Sequence, residues 1–207
     1  MLPYDAVMFD LLTALLDSWS LWNDVAGGEQ LGLAWRTEYL RQIYSAGAYR
    51  PFESLVAEAG RNVGLPDGVA RDLIRRWPEL KPWPDVREVL GALGVPLGVV
   101  TNCSEAGARQ AVACVGVAFQ VVVSTERAGF YKPHERPYRL ALAELGTPPG
   151  RTLYVAGSPG DVGGASRLGM PVYWHNPLGL TLPTGSPKPI ADERSLRPLA
   201  RIIDGTA

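Results

Sequence analysis

Short apolar runs recur along the chain and predict buried strands. The first run is Tyr4–Phe9, which leads directly into Asp10. Four more runs of the same kind follow, at Pro96–Val100, Phe119–Val123, Thr152–Ala156 and Pro171–Trp174. A continuous apolar run of about four to eight residues is typical of a strand covered on both faces of its sheet.

Segments with apolar residues at helical spacing lie between and beside the later runs. They are Asp85–Leu93, Glu105–Ala113, Pro137–Leu145 and Asp161–Leu168. Strands that alternate with helices indicate an α/β fold with a parallel, doubly wound sheet, similar to a Rossmann core. Right-handed crossovers then place helices on both faces of this sheet.

The interval from residue 18 to residue 83 has a different pattern. Helical periods occur at Leu31–Ile43, Phe52–Val63 and Val69–Trp77, no convincing strand is visible, and five of the six tryptophans lie here. We interpret it as a small all-helical cap inserted after the first strand, with residues 1–17 and 84–207 forming the core. Such a cap is expected to cover the carboxyl ends of the strands, where open α/β sheets bind ligands.

Composition narrows the range of functions. The 207 residues carry a net charge of −1, which gives no sign of the basic face that nucleic-acid binding requires. No apolar run approaches the ~18 residues of a membrane span, and no secretory signal is visible. Cys103 and Cys114 do not make a disulfide framework. We therefore expect a cytoplasmic protein that binds a small molecule, with a homodimer possible and residues 183–189 as a surface loop.

Polar residues follow four of the predicted strands or crossovers, where they are expected to converge on one crevice. They are Asp10, Thr101, Asn102, Lys132, Ser158 and Asp161. Each has a purely structural explanation when taken alone, because an aspartate after a strand often caps a turn or helix and a lysine is usually solvated. Their occurrence at successive strand ends favours a functional site.

The motif order FD…TN…YKP…GSPGDVGGASRLGM resembles the four motifs of the haloacid dehalogenase superfamily over nearly the whole chain. Further matches resemble the L-2-haloacid dehalogenase branch of that superfamily. They are Trp35-Arg36 in the cap, Arg136 and Tyr138 after Lys132-Pro133, and the cap aromatics Tyr49 and Phe52. The resemblance implies that Asp10 is the nucleophile of a hydrolase.

Five positions depart from the motifs of that superfamily. Leu12 replaces the second carboxylate of its phosphatases and the tyrosine common in its dehalogenases, and Ala14 lacks the hydroxyl that usually bonds the nucleophile. Gly157 stands where phosphatases place a magnesium-binding acid. Ala156 and Ser158 stand where dehalogenases usually have serine and asparagine, and Ser158 can substitute in part.

The functional groups that are retained despite these departures favour displacement of a halide, because a halide leaves as a stable anion without a proton. The carboxylate of Asp10 would attack carbon to give an ester that water opens. Lys132 would keep Asp10 ionised, and Asp161 would orient Lys132 or the water. By resemblance, Arg36 and Asn102 would hold the halide.

The remaining predicted site residues are expected to bind the substrate or to exclude water from it. Thr101 and backbone N–H groups after the first strand would bind its carboxylate, and Leu11 and Leu12 would exclude water. Tyr138 and Ser158 complete the predicted binding set. We thus expect hydrolytic dehalogenation of a short 2-haloacid, with inversion at C2 and no cofactor.

Two alternatives remain at this stage. One is a phosphatase that uses Mg²⁺ held by Asp10, the backbone of Leu12 and Asp161, although Leu12 cannot protonate an alkoxide leaving group. The other is a binding protein that kept the fold and lost turnover, as the missing hydroxyls at Ala14 and Ala156 suggest. His134 and His175 have no ligand-like spacing, and we interpret both as structural or exposed.

Overall fold

A six-stranded parallel sheet forms the centre of the molecule. The computed structural model describes residues 2–206. The strands are β1 (Ala6–Asp10), β2 (Leu97–Thr101), β3 (Val121–Ser124), β4 (Thr152–Ala156), β5 (Val172–His175) and β6 (Ala191–Glu193). Their order is β3-β2-β1-β4-β5-β6, and every neighbouring pair is parallel. The predicted doubly wound α/β fold is confirmed.

Ten α-helices accompany the sheet within residues 2–206. Before β2 lie α1 (Ser18–Ala26), α2 (Glu29–Ser45), α3 (Phe52–Asn62), α4 (Val69–Arg75) and α5 (Val86–Ala92). After β2 lie α6 (Glu105–Val115), α7 (Thr125–Ala128), α8 (Glu135–Leu145), α9 (Pro159–Ser166) and α10 (Pro198–Asp204). Trp77–Glu79 and Pro149–Arg151 form short 3-10 turns.

Four elements were not predicted: β6, α1, α7 and α10. The strand β6 has only three residues, two of them acidic and exposed, so it lacks the apolar run on which strand prediction depends. The helix α7 has only four residues, which is too short for a helical period to show. Residues 183–189 form a loop without regular structure, as predicted.

Residues 18–83, which we call the helical segment, contain α1 to α4 and no strand. The two ends of the helical segment lie side by side, because Leu16 and Pro82 form an antiparallel bridge. A second isolated bridge joins Ala48 to Phe130. The division into domains at residues 17 and 84 stays a prediction.

A row of aromatic rings holds the helical segment together. The rings of Trp22 and Trp35 lie 4.6 Å apart, Tyr39 lies 5.7 Å from Phe52, and Phe52 lies 5.5 Å from Trp77. All five side chains are buried in the same apolar cluster as the strands of the sheet. The concentration of tryptophan in this segment therefore builds its core.

The loop after β1 packs tightly against the end of β4. A Cβ atom on Gly157 would overlap the backbone of Thr13 and Ala14 and the Thr13 hydroxyl. Two side chains hold the same loop from the other side. Trp83 donates from Nε1 to the Thr13 carbonyl at 3.0 Å, and His175 Nδ1 lies 2.6 Å from the Ala14 carbonyl.

Across residues 2–206, none of the helices combines the length and the apolar composition that crossing a bilayer requires. Cys103 is buried, Cys114 is partly buried, and both are free thiols.

We predict that Gly157→Ala destabilises the protein, because the new methyl group must displace the backbone of the loop after β1. Overpacking of this kind costs about 1–3 kcal/mol of unfolding free energy, measurable by urea denaturation. Gly150→Ala is the matched control, since a Cβ atom there meets nothing within 4 Å. Equal stability of the two variants would contradict the close contact.

Candidate active site

The predicted polar residues meet at the carboxyl end of the sheet, beside a cavity of about 360 Å³. Asp10 ends β1, and Asp161 lies in the first turn of the helix that follows β4. Since β1 and β4 are neighbours from which the chain winds in opposite directions, this is the switch point of the fold. The predicted residues that line the cavity are Asp10, Leu12, Arg36, Asn102, Lys132, Ser158 and Asp161.

The ammonium group of Lys132 lies between two carboxylates. Its Nζ is 2.8 Å from Asp10 Oδ1 and 3.1 Å from Asp161 Oδ2, and it also contacts the Tyr154 hydroxyl at 3.2 Å. Lys132 is only 2% exposed, and both aspartates are buried as well. Such an ion group is stable only when every charge has partners, and here each one does.

The two oxygens of Asp10 have different surroundings. Oδ2 accepts three hydrogen bonds, from the Thr13 amide at 2.9 Å, the Thr13 hydroxyl at 2.5 Å and the Ala14 amide at 3.0 Å. Among the residues that the structure describes, Lys132 alone donates a hydrogen bond to Oδ1. The carboxylate is therefore fixed in orientation through Oδ2, while Oδ1 retains a lone pair for chemistry.

The hydroxyl missing at Ala14 is supplied one residue earlier. The sequence predicted that the nucleophile lacks its usual hydroxyl partner, because position 14 is alanine. In the structure Thr13 provides this bond to Asp10 Oδ2. The correction follows from the tight turn after β1, which brings the side chain and amide of Thr13 to the same oxygen.

The pKa values of the two aspartates shift in opposite directions. Burial raises the pKa of Asp10, but the charge of Lys132 and the bonds from Thr13 outweigh burial and hold it below its ordinary value. Burial and the neighbouring charge of Asp10 raise the pKa of Asp161, against Lys132 and Tyr138. Burial lowers the pKa of Lys132, but both carboxylates outweigh it and raise the pKa overall.

Asp161 is held by a set of short contacts. Tyr138 donates its hydroxyl to Oδ1 at 2.7 Å, and Ser158 donates to Oδ2 at 3.1 Å. Tyr138 is fully buried and lies behind Asp161, outside the cavity lining. Its geometry supports a role in holding Asp161 and does not support the predicted contact with substrate.

Arg36 is a buried cation that faces the cavity without a carboxylate partner. Its guanidinium lies 3.9 Å from the centre of the Trp19 ring and donates one hydrogen bond, to Ser18. Within residues 2–206 it forms no ion pair. Burial lowers the pKa of Arg36 to about 10, against the attraction of Asp10, so the group stays charged at neutral pH. A charged group with unused donors in a cavity suits an anion.

The Asn102 side chain is bound to the backbone of Lys132. Its Oδ1 accepts from the Lys132 amide at 2.8 Å, and its Nδ2 donates to the Lys132 carbonyl at 3.2 Å. One N–H of the amide remains for a ligand in the cavity. Asn102 therefore fixes the position of the Lys132 backbone.

Besides Tyr138, two further predicted residues do not line the cavity. Leu11 is fully buried among apolar side chains of the core. The Thr101 hydroxyl is also fully buried and lies 3.6 Å from the Cys103 thiol. The geometry thus does not support contact of these two side chains with substrate, because the end of β2 directs Thr101 inward.

Other cavity-lining side chains were not predicted from the sequence. They include Thr13, Trp19, Tyr39, Leu40, Tyr44, Leu180 and Pro183. Tyr39 and Tyr44 lie on α2, at three and eight positions after Arg36, so a helical wheel centred on Arg36 could have found them. Leu180 and Pro183 come from a loop whose path the sequence does not indicate.

The residues present do not fit a magnesium ion. The Asp10 and Asp161 oxygens share the ammonium of Lys132, and the Leu12 carbonyl accepts from Ser18 at 2.5 Å. A third acid at Gly157 has no room. Within residues 2–206, no group of three or more His, Cys, Asp or Glu side chains has the arrangement of a metal site.

The chain is similar to a known protein family and to curated proteins. The model of the haloacid dehalogenase-like hydrolases matches residues 7–175. Among curated relatives, the chain is 29% identical over 215 residues to the (S)-2-haloacid dehalogenase H-109 of Pseudomonas putida, covering 95% of this chain and 96% of the relative.

Solved structures with the same fold cover nearly the whole chain. An L-2-haloacid dehalogenase with 26% identity superposes with a TM-score of 0.86, over 97% of this chain and 98% of the other. The L-2-haloacid dehalogenase of Xanthobacter autotrophicus, solved with chloropropionic acid covalently bound, superposes with a TM-score of 0.87 at 23% identity. It covers 99% of this chain and 100% of the other.

We predict that Asp10 titrates below, and Asp161 above, the usual range of an aspartate. The two carboxyl carbons can be followed by ¹³C NMR, with the signals assigned through Asp10→Asn and Asp161→Asn. In Lys132→Met the pKa of Asp10 should rise, because the charge that opposes the effect of burial most strongly is then lost. The same variant should lose about 3–5 kcal/mol of stability, as expected for a broken buried pair.

The exposed Lys188→Met serves as the control for the loss of one lysine. An Asp10 pKa that does not move in Lys132→Met would show that Lys132 does not control the ionisation of this carboxylate.

Proposed function

Since the chain belongs to the haloacid dehalogenase-like hydrolase family, we propose that it hydrolyses the carbon–halogen bond of a short 2-haloacid through an ester on Asp10. The observation that carries this proposal is the environment of Asp10. An ionised, buried carboxylate with one open oxygen faces a cavity that also contains an unpaired guanidinium. This arrangement supplies a nucleophile and an anion site, and a halide needs no proton in order to leave.

In the first step, Asp10 Oδ1 attacks C2 of the substrate from the side opposite the halogen. The new bond joins Oδ1 to C2, and the carbon–halogen bond breaks with its electron pair going to the halide. Configuration at C2 is inverted. The water-poor surroundings favour this attack, because a carboxylate that accepts few hydrogen bonds on Oδ1 loses little solvation when it reacts.

In the second step, water attacks Cγ of the Asp10 ester. Negative charge then develops on Oδ2, where the amides of Thr13 and Ala14 and the Thr13 hydroxyl already donate. Preorganised donors of this kind stabilise such an oxyanion most effectively. The bond from Cγ to Oδ1 breaks, and Lys132 stabilises the departing oxygen. One proton of the water ends on the hydroxyl of the product, and the other is released to solvent as Asp10 returns to its carboxylate form.

Asp161 is proposed to receive the proton of the attacking water before it reaches the product. The raised pKa of Asp161 makes this carboxylate a better base than an exposed aspartate. Ser158 and Tyr138 keep it oriented toward Lys132 and the cavity. Neither step requires a cofactor.

The anion sites of the cavity explain the choice of substrate. Arg36, with one N–H of Asn102, is placed to hold the departing halide. The walls contributed by Leu12, Leu40 and Leu180 are apolar and suit the alkyl part of a haloacid. Several curated relatives are also named (S)-2-haloacid dehalogenase. The cytoplasmic location and the possible homodimer stay predictions.

We predict that the protein releases chloride from L-2-chloropropionate and that EDTA does not reduce the rate. Asp10→Asn should abolish turnover while leaving the thermal unfolding transition cooperative, because the amide is not a nucleophile. Chloride is measured directly, beside phosphate release from an aryl phosphate.

Phosphate release that EDTA abolishes would overturn the proposal in favour of a phosphatase. No turnover on either class of substrate, with ligand binding unchanged in Asp10→Asn, would indicate a binding protein instead.

We predict that bromide inhibits the wild-type enzyme competitively and that Arg36→Met removes this inhibition. The buried guanidinium is the unpaired cation beside Asp10, so loss of its charge should weaken halide binding at least ~10-fold. Inhibition constants are measured at constant ionic strength, with nitrate-free buffer. Arg139→Met, on an exposed helix face, is the control. Unchanged bromide inhibition in Arg36→Met would place the halide elsewhere.

A further inference from the structure

Two chains of hydrogen bonds reach the donors of Asp10 from the two ends of the helical segment. The peptide between Leu12 and Thr13 donates its N–H to Asp10 Oδ2, while its carbonyl accepts from Ser18 Oγ at 2.5 Å. The peptide between Thr13 and Ala14 also donates to Oδ2, and its carbonyl accepts from Trp83 Nε1 at 3.0 Å. Both amide donors therefore belong to peptides that are hydrogen-bonded on the opposite side.

The direction of the Ser18 chain is fixed by chemistry. The Leu12 carbonyl can only accept, so the single proton of Ser18 points to it. Arg36 can only donate, and its Nη1 lies 2.9 Å from Ser18 Oγ. The chain thus runs from Arg36 through Ser18 and the peptide of Leu12 and Thr13 to Asp10. Ser18 is fully buried, and both of its partners line the cavity.

Successive hydrogen bonds strengthen one another, because each donor polarises the next group. A guanidinium at the start of the chain has the strongest effect, since its positive charge increases the acidity of the serine hydroxyl. The polarised peptide then presents a more positive N–H to Asp10 Oδ2. Loss of Ser18 removes the link and deprives the Leu12 carbonyl of its hydrogen-bond donor.

We infer that Ser18 is a positioning residue that couples Arg36 to the oxyanion donors of Asp10. The inference rests on the proposed ester chemistry. Oδ2 carries less negative charge in the ester than in the free carboxylate, and more during attack by water. Weaker donors at Oδ2 should therefore slow hydrolysis of the ester and leave its formation no slower.

The test is a rapid-quench experiment with L-2-chloropropionate, in which mass spectrometry measures the fraction of Asp10 present as ester. In Ser18→Ala we expect ester hydrolysis to slow about 10-fold, as for other outer partners of an active group, and the ester to accumulate. Ser20→Ala is the matched control, because it removes an exposed hydroxyl from the same turn of α1. Ser18→Thr, which keeps the hydroxyl, should restore hydrolysis.

The second chain provides an independent variant in case Ser18→Ala does not fold. Trp83→Phe keeps an aromatic ring but removes the indole donor to the Thr13 carbonyl, and it should accumulate ester in the same way. Its control is Trp77→Phe, which loses an equivalent indole bond to the distant Gly107 carbonyl. Equal slowing of both steps, or no slowing of hydrolysis, would overturn the inference.

A measurement without substrate separates the inference from the proposed function. Loss of the Ser18 link should raise the pKa of Asp10, followed by ¹³C NMR in Ser18→Ala and in the wild type. If no haloacid forms an ester in the wild type, the proposed function fails and this titration alone decides the role of Ser18. An unchanged Asp10 pKa together with unchanged ester kinetics would exclude the coupling.

Discussion

The placement of one ammonium group between two buried carboxylates determines the arrangement of the site. Lys132 keeps Asp10 ionised in a place where burial alone would protonate it, and Asp161 in turn holds Lys132. Two aspartates against one lysine leave a net negative charge, which the guanidinium of Arg36 balances across the cavity. Two buried cations and two buried anions neutralise each other, so the group can be stable in a protein interior. Removal of any one of them leaves an uncompensated charge.

The helical segment contributes one of these four charges and also holds the loop after β1. Arg36 comes from α2, and the hydrogen bonds of Ser18 and Trp83 begin where the segment starts and ends. The loop that contains Thr13 and Ala14 is therefore held by groups from both sides of the Leu16–Pro82 bridge. A carboxylate fixed in this way would keep its orientation through the two proposed chemical steps, which make opposite demands on Oδ2.

The sequence predicted those features that depend on strand ends. Asp10, Lys132 and Asp161 were found because each follows a strand or crossover, and parallel strands bring such positions together. Side-chain direction could not be found in this way. Thr101 ends its strand as expected, but its hydroxyl turns inward to Cys103, and the hydroxyl at Thr13 was missed because motif comparison placed it at position 14. Ser18 and Trp83 act through contacts between residues far apart in the chain, which periodicity does not report.

The contact between Gly157 and the loop after β1 also limits how this scaffold can acquire other chemistry. An acid at position 157 would add a ligand for a divalent cation, but its first carbon already collides with the backbone beside the nucleophile. A change of reaction type would therefore need two coordinated events, a new side chain and a relocated loop. Either event alone disturbs the orientation of Asp10, so variants on this route pass through an inactive stage.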